Sequence, residues 1–475
     1  MMKKIFFIYP LLMLVAALSL QSCSDDDNAA PKATFLDVFR DSTAIDQLRF
    51  QIPASYAIIG IDCDGDWTAS VADESWVTIS NHAGYGSATK RSYVKVSVSK
   101  NEGDLRTNSI TITSGSVSKI INIEQSGTGL DPNDPFESSY SFVMNMGLGY
   151  NLGNTLDANP VGSWWDPEGK TPTDYETSWG QPVTTPEIIN AIAEKGFKVI
   201  RVPVTWGPHA DENDIINEAW MNRVEEVVNY VLNAGCYCII NIQHDSGTDG
   251  WLCADPVNYT TISARFQKFW NQIATRFQKY DDKLLFEAFN EILDTNNTWG
   301  DPTDPAAYDV VNKLEQDFVN TVRATGGNNE FRNLVVNTYS SGHTAAKLAG
   351  FAVPADVHPN HILASIHCYD PYNFCNNNGE WNIAVFDATG EAEVDEIVNR
   401  VANAFESKGV PFFFGEFGAI DEDKSMGERI KYAKYITKAM RSRGTYGLWW
   451  MGLIDRKTLN WYESEIVDAL FEGIK

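Results

Sequence analysis

Eight short apolar runs recur between residues 147 and 453, and amphipathic stretches of helical period separate most of them. The runs are GLGYNLG (147–153), KVIRVPVTW (198–206), CYCIINIQ (236–243), LLFEAFNE (284–291), NLVVNTY (333–339), ILASIHCY (362–369), PFFFGEFG (411–418) and YGLWWMGL (446–453). Runs this apolar are strands buried on both faces, the condition of a parallel sheet covered by helices. Intervening segments such as TPEIINAIAEKG and NRVEEVVNYVLNAG supply those helices. Eight such units predict an α/β chain whose larger part, 139–475, is a (β/α)8 TIM barrel. A doubly wound open sheet would also alternate, but it usually carries a glycine-rich phosphate turn. Neither GxGxxG nor GxxxxGK[ST] follows an early strand.

Residues 34–127 follow another rhythm. SYVKVSVSK (92–100), SITITSG (109–115) and KIINIEQSG (119–127) alternate with period two between Gly, Asn and Ser turns, with no helical stretch between them. They predict a small, antiparallel, immunoglobulin-like β-sandwich. DWTASVADESWVTIS, RTNSITIT and the closing IEQSG resemble the BACON family of modules; Trp67 and Trp76 could serve as sugar platforms, but core packing is the expectation. GTGLDPNDPFES (127–138) reads as linker, taken as 128–138 after the sandwich ends at 127, with few contacts expected across it.

The chain opens with Lys3-Lys4 and an apolar stretch, Ile5 to Leu18, too short to span a membrane comfortably. Leu20-Gln21-Ser22-Cys23 then resembles the lipobox of bacterial lipoproteins. This predicts a signal peptide over 1–22, acylation of Cys23, and a tether over 23–33 whose Ser24-Asp25-Asp26-Asp27 resembles a surface-export signal. The expectation is an outer-membrane lipoprotein facing outward, in contact with the membrane only through its lipid. A formal net charge of −26 leaves no basic surplus for nucleic acid. The six other cysteines show no finger-like spacing, so buried thiols rather than a metal site are expected.

LLFEAFNE places two glutamates in a run fit for a barrel interior, where an unpaired carboxylate costs several kcal/mol, roughly. Read with period two, Glu287, Phe289 and Glu291 share one face, and Phe286, Ala288 and Asn290 the other. Glu287, the deeper, reads as the partner of an arginine or hydroxyl. Glu291 ends the run before a loop, where a barrel enzyme places catalytic groups. The other strand ends supply Asn154, Arg201, Gln243, His244, Asn290, His367, Tyr369, Glu416 and Trp449-Trp450. Two carboxylates with an arginine, histidines and aromatic rings suit glycoside hydrolysis: one acid protonates the leaving oxygen, and one carboxylate attacks the anomeric carbon.

GYNLGNTLDA, ETSWGQP, GFKVIRVPVTW, FEAFNE, IHCYDPYNF and FFFGEFG resemble glycoside hydrolase family 5, and GNTLDA with ETSWGQP resembles its bacterial endoglucanase and xyloglucanase branch. The resemblance implies a retaining endo-β-1,4-glucanase that needs no metal or cofactor. It implies Glu291 as acid/base with Asn290 beside it, Glu416 as nucleophile held ionised by Arg201 and Tyr369, and His367 near the acid. Trp450, or else Trp449, resembles the sugar platform, and Asn154 and Asp157 resemble sugar contacts of the first loop. Two departures stand out. Gln243-His244 replaces the usual His-His, and Met451-Gly452 replaces the Asp-Asn that often follows the tryptophans. Enclosure and the negative Glu416 are expected to raise the pKa of Glu291. A monomer acting on a cellulose-like glucan, mixed-linkage glucan or xyloglucan is expected. A mannanase or xylanase of the same architecture, and a non-catalytic glycan-binding lipoprotein, remain open.

Overall fold

The computed structural model describes residues 33–475 apart from 41–42, 51–53, 88–89, 102, 126, 128–135, 162–164, 249 and 377–378. Cys23, the signal segment and most of the linker therefore lie outside the described residues.

Two five-stranded sheets form the amino-terminal unit. One orders Thr43–Ala44, Leu36–Arg40, Ser55–Cys63, Ser92–Val98 and Val77–Ile79; the other orders Gln47–Phe50, Val117–Gln125, Arg106–Ser114, Trp67–Val71 and Ala83–Gly84. Alternation drives Ile59, Ile61, Val94, Val96, Ile110, Ile112, Ile121 and Ile123 into one core. Trp67 and Trp76 lie in that core, so neither is free to stack on a sugar. One pairing departs from the antiparallel expectation: Gln47–Phe50 runs parallel to Val117–Gln125. The chain leaves the first sheet after Thr43–Ala44 and joins the edge of the second at Gln47, running in the same direction as Val117–Gln125.

The barrel closes in sequence order through Gly149–Asn151, Val199–Val202, Tyr237–Asn241, Leu284–Glu287, Leu334–Asn337, Ile362–Cys368, Phe412–Phe417 and Gly447–Trp450. The last strand pairs parallel with the first, Asn151 opposite Trp450. Residues facing outward, such as Ile200, Ile240, Phe286, Val336, Ile366 and Phe414, pack under the helices. Those facing inward form layers. At the strand starts Val199, Ile239, Leu285, Val335, Leu363, Phe413 and Leu448 meet the plug residues Phe142, Val143 and Met146 from the helix Ser139–Asn145 and its cap. Two residues further on, Asn151, Arg201, Asn241, Glu287, Asn337 and Ser365 form a polar layer of zero exposure.

The fourth strand changes the reading of LLFEAFNE. Its pairing stops at Glu287, opposite Val335. Beyond Ala288 the pleat is lost, and Phe289 turns outward against Phe266 at 6.0 Å, not inward with Glu287. Asn290, placed by alternation on the outer face, turns inward instead and accepts a hydrogen bond from Arg201. The sandwich is also not free of the barrel. Arg40 pairs with Glu406 at 3.1 Å, and Arg49 donates to the carbonyl of Ser407 at 3.0 Å, where the helix Ala388–Lys408 ends. These contacts lie at the strand-start end of the barrel, away from Glu291 and Glu416 at the strand ends.

Candidate active site

Arg201 sits at the centre of the polar layer and uses all five of its N–H bonds. Nε donates to Glu287 at 2.6 Å, Nη1 to Asn151 at 3.0 Å and Glu416 at 2.8 Å, and Nη2 to Gln243 at 3.3 Å and Asn290 at 3.0 Å. Burial opposes the arginine's charge, but Glu287 and Glu416 outweigh it and raise its pKa. The guanidinium is thus a fixed cation whose geometry sets the rotamers of two carboxylates. The second oxygen of Glu416 accepts from Tyr369 at 2.8 Å. Burial and the nearby Glu416 push the phenol far above its ordinary range, so it stays a donor. Glu416 is 6 % exposed, with both oxygens pinned from below. The arginine and the tyrosine together fix the orientation of this carboxylate at the floor of the cleft.

Glu291 lies four residues beyond the last paired residue of its strand, where its side chain reaches the cleft. Its Oε1 lies 2.7 Å from Nδ1 of His367, and the same nitrogen is 3.6 Å from Glu416. One oxygen of Glu291 and one of Glu416 lie within 4.8 Å of each other. The electrostatics differ from the sequence expectation. Burial does push Glu291 upward, but His367, Arg201 and His244 outweigh it and the net shift is downward. Burial pulls His367 down, and the two glutamates more than reverse that. The missing influence was the imidazole, two strands on from Glu291 in the chain but in hydrogen-bond contact with it. Nε2 of His367 is buried without an acceptor, which penalises the imidazolium form. The two opposite shifts favour the proton on the imidazole side of the pair.

A cleft of about 790 Å³ opens over these groups, walled by Trp450, Trp299, Gln243, His244, Asn290 and Tyr369 among others. Trp450 is half-buried beside Gly153, where a Cβ would come within 2.9 Å of its ring. Trp449 instead packs edge-on to Phe417 and is 3 % exposed. The oxygen of Gln243 is committed to Arg201 and to Asn241, and His244 stands at the cleft edge with Trp179 5.2 Å away.

Asn154 and Asp157 stand apart from the cluster and do not wall the cleft. Asp157 is fully buried and accepts the backbone N–H of Asn154 and Thr155, which holds Asn154 at a positive φ of 59°. Its carboxylate also lies 3.6 Å from His244, and its carbonyl accepts the Thr205 hydroxyl at 2.8 Å. The carboxylate thus fixes the loop from behind. Three inward residues escaped the sequence reading: Asn151, Asn241 and Asn337. Asn151 lies opposite Arg201, and Asn241 and Asn337 each sit one inward alternation beyond the base residues Ile239 and Val335, so strand alternation was the available signal.

A closed (β/α)8 barrel bearing two facing glutamates, one clamped by arginine and tyrosine, defines a barrel enzyme built on a carboxylate pair. Residues 165–453 match the model of Cellulase (glycosyl hydrolase family 5), and residues 65–126 match BACON, described as a putative N-terminal binding domain. Endoglucanase A of Clostridium longisporum is 36% identical over 353 residues, covering 71% of this chain and 66% of that enzyme. The xyloglucan-specific endo-beta-1,4-glucanase BoGH5A of Bacteroides ovatus is 32% identical over 99% of this chain and 97% of its own. PbGH5A of Prevotella bryantii, solved as a mutant with a xyloglucan tetradecasaccharide, superposes with a TM-score of 0.66 at 36% identity, covering 72% of this chain and 99% of that one. The chain belongs to glycosyl hydrolase family 5.

Proposed function

We propose that the protein is a retaining endo-β-1,4-glucanase that cuts internal linkages of cellulose-like, mixed-linkage or xyloglucan chains. The observation that carries this is the spacing of the glutamates. An inverting pair stands about 6.5–9.5 Å apart to admit a water, and a retaining pair about 5–5.5 Å. An oxygen of Glu291 and one of Glu416 lie within 4.8 Å of each other, which supports the closer, retaining spacing.

Glu416 attacks the anomeric carbon while Glu291 gives a proton to the departing glycosidic oxygen. A glycosyl–Glu416 ester forms, and the chain beyond the cut leaves as an alcohol. A neutral glucan entering the cleft displaces water around Glu291 and His367. Desolvation disfavours the ion pair and returns the proton to the carboxylate, arming the acid. In the second step Glu291 takes a proton from water, which opens the ester with the configuration retained. Trp450 forms the platform beneath the sugar at the cut, Asn290 contacts its 2-hydroxyl, and Gln243 and His244 line the same wall.

Xyloglucan is the favoured member of the substrate group, because the relative aligned over nearly the whole chain, sandwich included, is xyloglucan-specific. The test compares xyloglucan, mixed-linkage glucan, carboxymethylcellulose, xylan and mannan, with product sizing and NMR of the first-formed anomer. Faster cleavage of glucans than of mannan and a β-anomer first support the reading. An α-anomer first, or mannan cleaved fastest, overturns it. The lipobox resemblance supports anchoring at the outer membrane through Cys23. Cys23→Ala should move the protein to the soluble fraction with turnover intact, and continued membrane retention refutes the anchor.

A further inference from the structure

Glu315 has no part in the chemistry above, yet it is a carboxyl group of zero exposure, carried by the helix Ala306–Ala324 outside the barrel wall. Its Oε1 accepts the backbone N–H of Asn337 at 2.6 Å. That N–H needs a partner because the fourth strand stops pairing at Glu287. The carbonyl of Ala288, next along that strand, accepts the indole N–H of Trp270 at 3.0 Å instead. The helix thus completes a hydrogen bond that the sheet leaves open. The other oxygen, Oε2, is buried without a partner, which an ionised carboxylate in that position would not tolerate. Burial, assisted by the charge of Glu287, pushes the group well above the usual carboxylate range. Glu315 is a neutral hydrogen-bonding group.

Asn337 passes that constraint inward along two branches. Its Nδ2 donates to Oε1 of Glu287 at 3.2 Å, and Glu287 in turn grips Nε of Arg201. Nδ2 also lies 3.3 Å from Oγ of Ser341, whose hydroxyl donates to the carbonyl of Asn290 at 2.6 Å, one residue before Glu291. Ser340 and Ser341 both hold positive φ, 51° and 48°, a conformation that serine sustains only when its surroundings enforce it. One branch ends on the arginine that orients Glu416; the other ends on the backbone that carries Glu291.

We propose that Glu315 is a positioning residue for hydrolysis, acting through Asn337 on Arg201 and on the backbone at Asn290. The inference rests on the retaining reading of Glu291 and Glu416. It assigns a function to a group on the outer helix layer that touches neither substrate nor catalytic carboxylate.

The test measures kcat and KM on an aryl β-cellobioside for the full-length protein and for Glu315→Leu, Glu315→Gln and Glu315→Asp. Thermal melts of each establish that the variant is folded. Glu315→Leu should lose about tenfold or more in kcat, because displacements well under 1 Å at the reacting groups are costly. Its KM should stay within about twofold, since the cleft walls at Trp450, Trp299 and His244 lie outside both branches. Glu315→Gln keeps a neutral acceptor and should restore kcat to within about twofold of wild type. Glu315→Asp withdraws the acceptor by one carbon, retains the acid, and should show the loss in kcat without a change in KM. It carries the test should the leucine variant fail to fold. A folded Leu or Asp variant with wild-type kcat overturns the proposal, as does Glu315→Gln falling as far as Leu. An inactive wild type would refute the enzymatic reading instead; the ratio of variant to wild type speaks only to Glu315.

Discussion

The base of the barrel and its mouth lie two to four residues apart on the same strands, and they are built on opposite terms. At the base Val199, Ile239, Leu285, Val335, Leu363, Phe413 and Leu448 fill the interior with apolar volume against the plug at Phe142. Burial of that surface is favourable and needs no particular orientation. One alternation higher, Arg201, Glu287, Asn151, Asn241 and Asn337 are buried at a cost that their hydrogen bonds and ion pairs offset. The difference teaches where stability and specificity reside in this fold. The base contributes favourable energy and is indifferent to small shifts. The polar layer contributes little net energy and fixes the positions of a few atoms at the mouth.

The largest effect that separates the two regions is loss of the nucleophile. Glu416→Ala should lower kcat by about 10⁵-fold or more, the scale on which removal of a nucleophile acts, while the melt changes little. Azide should restore turnover through the vacated face and give a glycosyl azide of inverted configuration. Glu291→Ala should keep activity on aryl glycosides with good leaving groups, and azide should rescue it with retained configuration. Identical azide products from the two variants would break the assignment of roles.

Next come paired substitutions, one in each layer. Arg201→Met strands two carboxylates and should cost both about 10²–10³ in kcat and about 3–5 kcal/mol of stability. Leu285→Ala opens a cavity in the base and should cost about 2–5 kcal/mol with kcat within about twofold of wild type. Denaturant titration with parallel assays reads both. Lost turnover in folded Leu285→Ala would show that the base also sets the catalytic geometry.

Much of this was legible beforehand for identifiable reasons. The eight runs marked the barrel because strands buried on both faces must be apolar along their length. Glu291, Glu416, Arg201, His367 and Tyr369 stood out because polar residues inside such runs need a cause. What escaped depended on contacts between strands. Alternation misplaced Phe289 and Asn290 because pairing ends at Glu287, a fact set by the neighbouring strand. The fall in the pKa of Glu291 depends on His367, which the fold alone brings to 2.7 Å. Asp157 reads as a sugar contact in sequence and proves to be the internal tie of its own loop. The contact between sandwich and barrel was invisible in a linker whose composition suggests independence.

A smaller effect follows from the proton shared at the mouth. Glu291 is lowered in the folded protein, so its share of stability is present above its ordinary 4.5 and fades as pH falls through the lowered value. His367 is raised, so its share is present below its ordinary 6.5 and fades as pH rises through the raised value. Both act together between pH 4.5 and 6.5. The melting temperature of wild type relative to Glu291→Gln should therefore be highest in that window and decline on either side. A difference that stays level across pH would mean that the pair is neutral throughout. The apolar base supplies the control, since Leu285→Ala should shift the melt by a similar amount at every pH.

The smallest expected effect lies where the sandwich meets the strand-start end of the barrel. Arg40 is 15 % exposed and Glu406 7 %, a degree of burial at which losing one partner of an ion pair is often severe. Glu406, however, has a second cation: Nη2 of Arg443 donates to its other oxygen at 2.8 Å. Arg40→Ala therefore leaves the carboxylate paired, and Arg49 still donates to the carbonyl of Ser407. The cost should be about 1 kcal/mol, the worth of one hydrogen bond to a partner that remains satisfied. Turnover on soluble glucan should be unchanged, because the joint lies at the end of the barrel away from Glu291 and Glu416. Arg443→Ala removes the deeper of the two cations and should cost more. Equal losses for the two variants would show that the sandwich supports the barrel as strongly as the barrel's own helix does, and a fall in kcat for Arg40→Ala would mean that the base and the mouth are coupled.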